Sequence, residues 1–165
     1  MEEKLMLRLR PYKIEDADTI ITWSKDERVF YQWSAGIIGE YPLTQEKFRF
    51  VDSLMAFTAF DENEIVGFFT LRNPGGVIDE LRMGFVIVDP SQRGSGKGKE
   101  MLELGLRYAF DVYGAKKVSL GVFENNKPAY YCYKAAGFKD VILDETETYK
   151  VLDEEWKCTE MAIER

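Results

Sequence analysis

Apolar and charged positions alternate with period two over Leu5-Met-Leu-Arg-Leu-Arg10, which predicts a strand that Pro11 helps to end. Helical spacing follows. Asp16 stands in the N-cap position before a helix predicted over Ala17–Ser24, with Ile20, Ile21 and Trp23 as its apolar contacts. A second short helix is predicted over Glu27–Trp33, and a third, capped by Thr44, through Phe48 and Val51. Strand texture then returns. Leu54–Phe60 and Ile65–Leu71 form a hairpin around Asp61-Glu-Asn-Glu64, and Leu81–Val88 is a continuous apolar strand that stops at Asp89-Pro90. A glycine-rich turn opens a helix from about Gly96 to Tyr113, whose spacing puts Met101, Gly105, Tyr108, Ala109 and Val112 on one face and Gly114 after its end. Val118–Phe123 is the next strand. Pro128–Ala136 is a helix with proline in its first turn and Gly137 just past its end. Phe138–Leu143 and Trp156–Ile163 read as two further strands. No repeat, low-complexity tract or linker interrupts the order, so residues 1–165 are expected to form a single domain of the α/β (α+β) class, a mixed sheet with helices packed on it.

Composition narrows the chemistry. The hydrophobic fraction of 45% and charged fraction of 31% are globular values and exclude wholesale disorder. The net charge of −7 is opposite in sign to that of a general nucleic-acid binder, so no nucleic-acid partner is expected. The chain has no histidine. This excludes Ser-His-Asp and Cys-His catalysis and the common His-ligated metal sites, leaving carboxylate, Tyr, Lys, Cys, water or backbone as acid or base, with no metal expected. Cys132 and Cys158 have no CxxC spacing and read as reduced thiols. The N-terminus lacks a signal-peptide core and no apolar run approaches the ~18 residues of a membrane span, so a cytoplasmic protein without a membrane partner is expected, as monomer or homodimer.

The most informative stretch is Val86-Ile-Val-Asp-Pro-Ser-Gln-Arg-Gly-Ser-Gly-Lys-Gly-Lys99. Glycines let the backbone approach a bound group and turn successive N–H groups toward it, and the unpaired first-turn amides and dipole of the following helix favour an anion. Arg93, Lys97 and Lys99 add local positive charge. A phosphate or pyrophosphate site follows, set against a plain surface loop of capping glycines. A P-loop does not fit: with Lys97 as its lysine, Ser91 replaces the first glycine and Gly98 the Ser/Thr.

Read as Arg93-x-x-Gly96-x-Gly98, the turn resembles the acetyl-CoA pyrophosphate signature of the GNAT superfamily of N-acetyltransferases. Asn126-x-x-Ala129-x-x-x-Tyr133-x-x-x-Gly137-Phe138 resembles the second hallmark of that family. Leu7-Arg-Leu-Arg-Pro11, followed by Glu15-Asp-Ala17, is similar to the branch that acetylates ribosomal-protein N-termini. The resemblance implies a mostly antiparallel sheet with helices on both faces, splayed into an acetyl-CoA cleft. It implies that Arg93, Gly94, Ser95, Gly96, Lys97, Gly98 and Lys99 hold the pyrophosphate. Val86, Ile87 and Val88 would present strand edge to the pantetheine arm, the N–H near Val86 would bind the oxyanion, and Asn126 would hold the arm, against or beside a competing reading as a helix cap. Tyr133 would protonate the departing thiolate, against a competing reading as a core aromatic. Tyr130 and Tyr131, off that helical position, read as packing residues.

An acceptor amine must lose its proton before it attacks. A lysine-like amine of pKa ~10.4 costs ~4.6 kcal/mol to deprotonate at pH 7 and an α-amine near ~8 costs ~1.4, so the second needs little help. The base is expected to be a carboxylate: Glu80 at the start of the strand Leu81–Val88, with Glu124 second. Trp23, Tyr31, Trp33, Tyr41 and Trp156 could line an acceptor pocket or fill the core. The expected activity is acetyl transfer from acetyl-CoA to a primary amine, a protein N-terminus or a polyamine or other small amine, by direct attack in a ternary complex. The alternative is a non-catalytic acyl-CoA-binding or sensor module.

Overall fold

The alternating positions near the N-terminus form β1 (Arg8–Pro11) in a computed structural model that describes residues 6–62, 64–76 and 79–165. Leu5 of the expected first strand and Asn63 of the expected hairpin turn lie outside the described residues. The helical pattern that follows gives α1 (Ala17–Thr22), α2 (Glu27–Ser34) and a 3-10 helix over Glu46–Ser53. Then come β2 (Met55–Asp61), β3 (Glu64–Arg72) and β4 (Glu80–Val88), α3 (Lys97–Arg107), β5 (Lys117–Phe123), α4 (Lys127–Ala136), and β6 (Lys139–Val141), β7 (Glu147–Val151) and β8 (Glu154–Glu164).

Eight strands form one sheet in the order β1-β2-β3-β4-β5-β8-β6, with β7 also on β8. Among the described residues every pairing is antiparallel except β4 with β5. Helices α3 and α4 cover one face, burying Phe69, Leu71, Met101, Leu106 and Phe138, while α1, α2 and the 3-10 helix cover the other with Ile20, Phe30, Trp33, Phe48 and Phe68. This is the mixed, mostly antiparallel sheet with helices on both faces that the resemblance implied.

The parallel pair positions everything that follows. It holds only through Glu80↔Lys117, Leu81↔Val118 and Arg82↔Ser119, and beyond that point β4 and β5 part. Arg82 clamps the joined end. Its guanidinium spans β5 to reach Glu160 on β8 with two bonds of 2.8 and 2.9 Å, and it also donates to Ser119 Oγ at 3.2 Å. Gly121 makes room for that arm, since a Cβ there would sit 3.2 Å from Arg82 Nη2. The parting end is shaped by a bulge in β4. Thr70 pairs with Gly84 and Phe68 with Ile87, so Phe85 and Val86 together face Phe69. Phe85 takes a positive φ of 50°, and its carbonyl is caught by Trp33 Nε1 at 2.7 Å.

Three expectations change. The helix expected to run from Gly96 to Tyr113 widens into a π-helical turn over Tyr108–Tyr113, closed by Ala115 N donating to Ala109 O at 2.8 Å. The wider turn breaks the 3.6-residue register, so Val112 points to solvent (70% exposed) while Met101, Gly105 and Ala109 stay inside. The acidic stretch between the last two expected strands contains β7, joined to β8 by a two-residue turn whose Leu152 and Asp153 both have positive φ. The strand expected over Phe138–Leu143 is Lys139–Val141, where its pairing with β8 ends, and Ile142 and Leu143 beyond it are exposed.

The Asp16 side chain is also not the cap its position suggested. It accepts from Arg10 Nη1 and Nη2 at 2.8 and 2.7 Å, from Lys13 N at 3.0 Å and from Thr58 Oγ1 at 2.8 Å, tying β1 to α1 and β2. The Arg10 and Asp16 that carried the branch resemblance thus have a structural function.

Candidate active site

Where β4 and β5 diverge, a cavity of about 440 Å³ opens between α2, the two strands and the first turns of α3 and α4. Its β4 wall is Met83 to Val88, which includes Val86, Ile87 and Val88. Past Arg82 this strand is paired on its β3 side alone, so backbone donors and acceptors on its other edge face the gap. A strand edge of this kind takes an extended, amide-bearing ligand as it would take another strand.

The loop at the C-terminal end of β4 supplies the second wall. Asp89 orders its start by accepting from Ser91 N and Ser91 Oγ, both at 2.9 Å. Gly94 and Gly96 have φ of 82° and 81°, a region that a side chain disfavours. Gly96 is the N-cap of α3 and provides no side chain to cover the first-turn amides. Gly98 permits a close approach of helices, since a Cβ there would stand 3.2 Å from Cys132 Sγ. Arg93, Gly94, Gly96, Gly98 and Lys99 all line the cavity.

Two predicted loop residues do not line it. Ser95 Oγ donates to Gln92 O at 2.6 Å, and Lys97 Nζ pairs with Asp61 Oδ2 at 2.9 Å, pinning α3 to the end of β2. Their side chains serve the loop's shape, and what they offer an anion is backbone.

Helix α4 supplies the third wall. Asn126 lines the cavity and makes no side-chain capping bond, so the expected cap role is absent. Its carbonyl starts the helix by accepting from Tyr130 N. Tyr133 is 7% exposed and lines the cavity, its ring edge-on to Phe138 at 6.0 Å. Among the described residues nothing hydrogen-bonds its hydroxyl. Burial, with Cys132 second, pushes the phenol well above its ordinary range, so it holds its proton at all physiological pH values. Burial also raises the Cys132 thiol, with Lys99 opposing, which keeps it a neutral wall residue and not a nucleophile. Tyr130 donates to both Asp140 oxygens at 2.9 Å, whereas Tyr131 is exposed and packs less than expected.

Glu80 is the clear misplacement. It sits at the clamped end of the β4–β5 pair, beside Lys117 Nζ at 3.4 Å and Ser119 Oγ at 3.4 Å. Val86 lies six residue steps along the strand from it, about 20 Å of extended chain. Its position at the head of an apolar strand suggested a cleft mouth, but the strands part at the other end. Glu124 is exposed and does not line the cavity either.

The far wall was largely missed. Val29, Gln32 and Trp33 of α2 line the cavity with Phe85 and Asn125. Gln32 Nε2 donates to Asn125 Oδ1 at 3.1 Å, bracing α2 against the turn before α4. The amphipathic spacing of Val29, Trp33 and the Asn125-Asn126 doublet were the available signals. Of the aromatics singled out, Trp33 alone reaches the cavity. Trp23 lies in the α1–α2 core, Tyr31 and Tyr41 pack on Phe30, and Trp156 packs on Phe123.

Among the described residues no cluster of three or more His, Cys, Asp or Glu is placed to hold a metal ion, and no helix is long and apolar enough to cross a membrane.

Residues 12–138 match the profile of the acetyltransferase (GNAT) family. Mycothiol acetyltransferase of Corynebacterium glutamicum is 34% identical over 79 residues, 48% of this chain and 26% of the relative. Spermine/spermidine N(1)-acetyltransferase of Bacillus subtilis is 35% identical over 52 residues, 32% of this chain and 34% of the relative. The matches thus span between a quarter and about a third of the length of these relatives. Spermidine N-acetyltransferase from Vibrio cholerae, solved with CoA and spermine, superposes with a TM-score of 0.80 over 96% of this chain and 95% of that one, at 18% identity, a likeness of fold.

Proposed function

The chain belongs to the acetyltransferase (GNAT) family, and from that premise we propose that it moves the acetyl group of acetyl-CoA directly onto a primary amine. The observation that carries this reading is the parting of β4 from β5 beyond Arg82 and Ser119, which puts an open strand edge, a glycine-cradled helix N-terminus and a buried tyrosine around one cavity. The fit to the thioester is chemical at each wall. First-turn amides of α3 with Arg93 and Lys99 suit a pyrophosphate, and the free edge of β4 suits the amides of the pantetheine arm. Among the described residues nothing hydrogen-bonds the Asn126 side-chain amide, which suits the same arm.

In the proposed reaction the thioester supplies the acetyl group, and the chain's own residues do the following. Backbone N–H near Val86 draws charge onto the carbonyl oxygen as the amine nitrogen forms its C–N bond. The C–S bond breaks, and Tyr133 donates its hydroxyl proton to the departing sulfur. Burial keeps the phenol protonated at physiological pH, so the proton is present to be donated. The attacking nitrogen gives its extra proton to water, which restores Tyr133 in turn.

The finer acceptor classes remain those drawn from the sequence: a protein N-terminus, in keeping with the branch likeness of Leu7–Pro11 and Glu15–Ala17, or a small amine, in keeping with the relatives' names. The test follows free thiol release from acetyl-CoA across an amine panel. Amine-dependent release is expected. Tight CoA binding without release for any amine would favour a binding module instead.

A further inference from the structure

The walls of the cavity differ in charge from element to element. Arg93 and Lys99 come from the loop before α3 and that helix's first turn. The wall from α2 with the bulge of β4 and the turn before α4, which we take as the acceptor's side, is Val29, Trp33 and Phe85 with the amides of Gln32 and Asn125. The groups lining the cavity that titrate or carry charge are Arg93, Lys99, Cys132 and Tyr133; among the described residues α2, β4 and β5 contribute none. Gln32 is itself engaged with Asn125, so the polar part of this wall is already hydrogen-bonded. A polycation entering here would leave water for apolar surface and two cationic side chains, with no carboxylate to compensate it.

The missing base leads to the same conclusion. Glu80 is clamped at the opposite end of the strand pair and Glu124 lies outside the cavity. Burial holds the Tyr133 and Cys132 protons in place. Among the described residues no side chain lining the cavity is poised to take a proton from an ammonium ion near pH 7, so a substrate must bring its nitrogen already neutral. That condition grades amines steeply. At pH 7 about one α-amine in ten is neutral, against about one lysine-like amine in 2,500.

Building on the acetyl-transfer reading, we infer that this site takes its acceptor as an uncharged monoamine on an apolar frame, such as the α-amine of a peptide beginning with an apolar residue, and not as a polyamine. Val29, Trp33 and Phe85 receive the apolar frame.

The experiment compares two probes under saturating acetyl-CoA: a lysine-free tetrapeptide amide beginning with phenylalanine, and spermidine. Thiol release is followed from pH 6 to 10. The peptide is expected to exceed spermidine in kcat/KM at pH 7 by at least ~100-fold, most of it from the neutral fractions. Each profile should rise with pH and level off at the acceptor's own pKa, about 8 for the peptide and about 10 for spermidine. A preference for spermidine at pH 7, or one common breakpoint for both acceptors, would overturn the inference, the latter by revealing an enzyme base. Either of those results still includes thiol release, so the acetyl-transfer reading would survive it. No release with either probe, and no melting shift with acetyl-CoA, would instead remove that reading and this inference with it.

Discussion

Tyr133 combines deep burial with a cavity-facing position and a hydroxyl that no described residue engages. A purely structural tyrosine would normally bury its hydroxyl against a partner. Tyr133→Phe is therefore expected to lower kcat by ~10²-fold with little change in KM for acetyl-CoA, read from steady-state thiol release. An unchanged kcat, with the chemical step rate-limiting, would return Tyr133 to the core. Asp16 makes a different claim at the same scale. Burial raises its pKa, but bonds from Arg10, Lys13 N and Thr58 outweigh this and hold the carboxyl below the usual range. A depressed pKa adds stability that is present above the unfolded value near ~3.9 and lost as pH falls through the folded one. Asp16→Asn should cost about 1–3 kcal/mol at pH 7, and its deficit against the wild type should shrink in urea melts at pH 3. The place of Tyr133 in the cavity wall was legible because its spacing from Asn126 and Gly137 is a motif. Asp16 was misread as a cap because its three partners come from β1, β2 and the preceding turn, and no local pattern reports those contacts.

Elements were legible where their punctuation is local. Gly114 and Gly137 end their helices with φ of 88° and 111°, and Pro128 opens α4, as read from the chain. The π-helical turn and β7 were not legible. One depends on how α3 settles on the sheet, and the other pairs a nearly all-exposed strand through a turn without Asn or Gly. Two substitutions test the elements that shape the cavity. Gly105 faces Phe69, and a Cβ there would lie 2.8 Å from Phe69 Cζ and 3.2 Å from Met83 Cε. Phe69 is itself held in a stack with Phe57 at 5.3 Å, so Gly105→Ala should destabilise by about 1–3 kcal/mol in chemical denaturation. Gly96→Ala meets no neighbour and strains only the backbone. It should cost about 1–2 kcal/mol in the loop conformation. Acetyl-CoA affinity should fall roughly tenfold by calorimetry, since about 1.4 kcal/mol is a factor of ten.

At the scale of the molecule, the proposed function depends on one departure from sheet regularity. Arg82 and Glu160 close β4, β5 and β8 together at one end, and the Phe85 bulge held by Trp33 bends β4 at the other. The order of strands and helices predicted this class of fold, and the two motifs predicted which loop and helix would face each other. Which end of β4 would open could not be read, because it depends on pairings with β3, β5 and β8 that are distant in sequence, and that is why Glu80 was misplaced. The central claim is that the opened end holds acetyl-CoA. Thermal melts of the purified protein with acetyl-CoA, CoA and Mg-ATP in parallel test it most directly. A ligand at 100 times its Kd adds about 2.7 kcal/mol, and at about 2–4 °C per kcal/mol acetyl-CoA and CoA should each raise Tm by roughly 5–10 °C while Mg-ATP leaves it in place. No shift with either CoA species, or an equal shift with Mg-ATP, would contradict the claim.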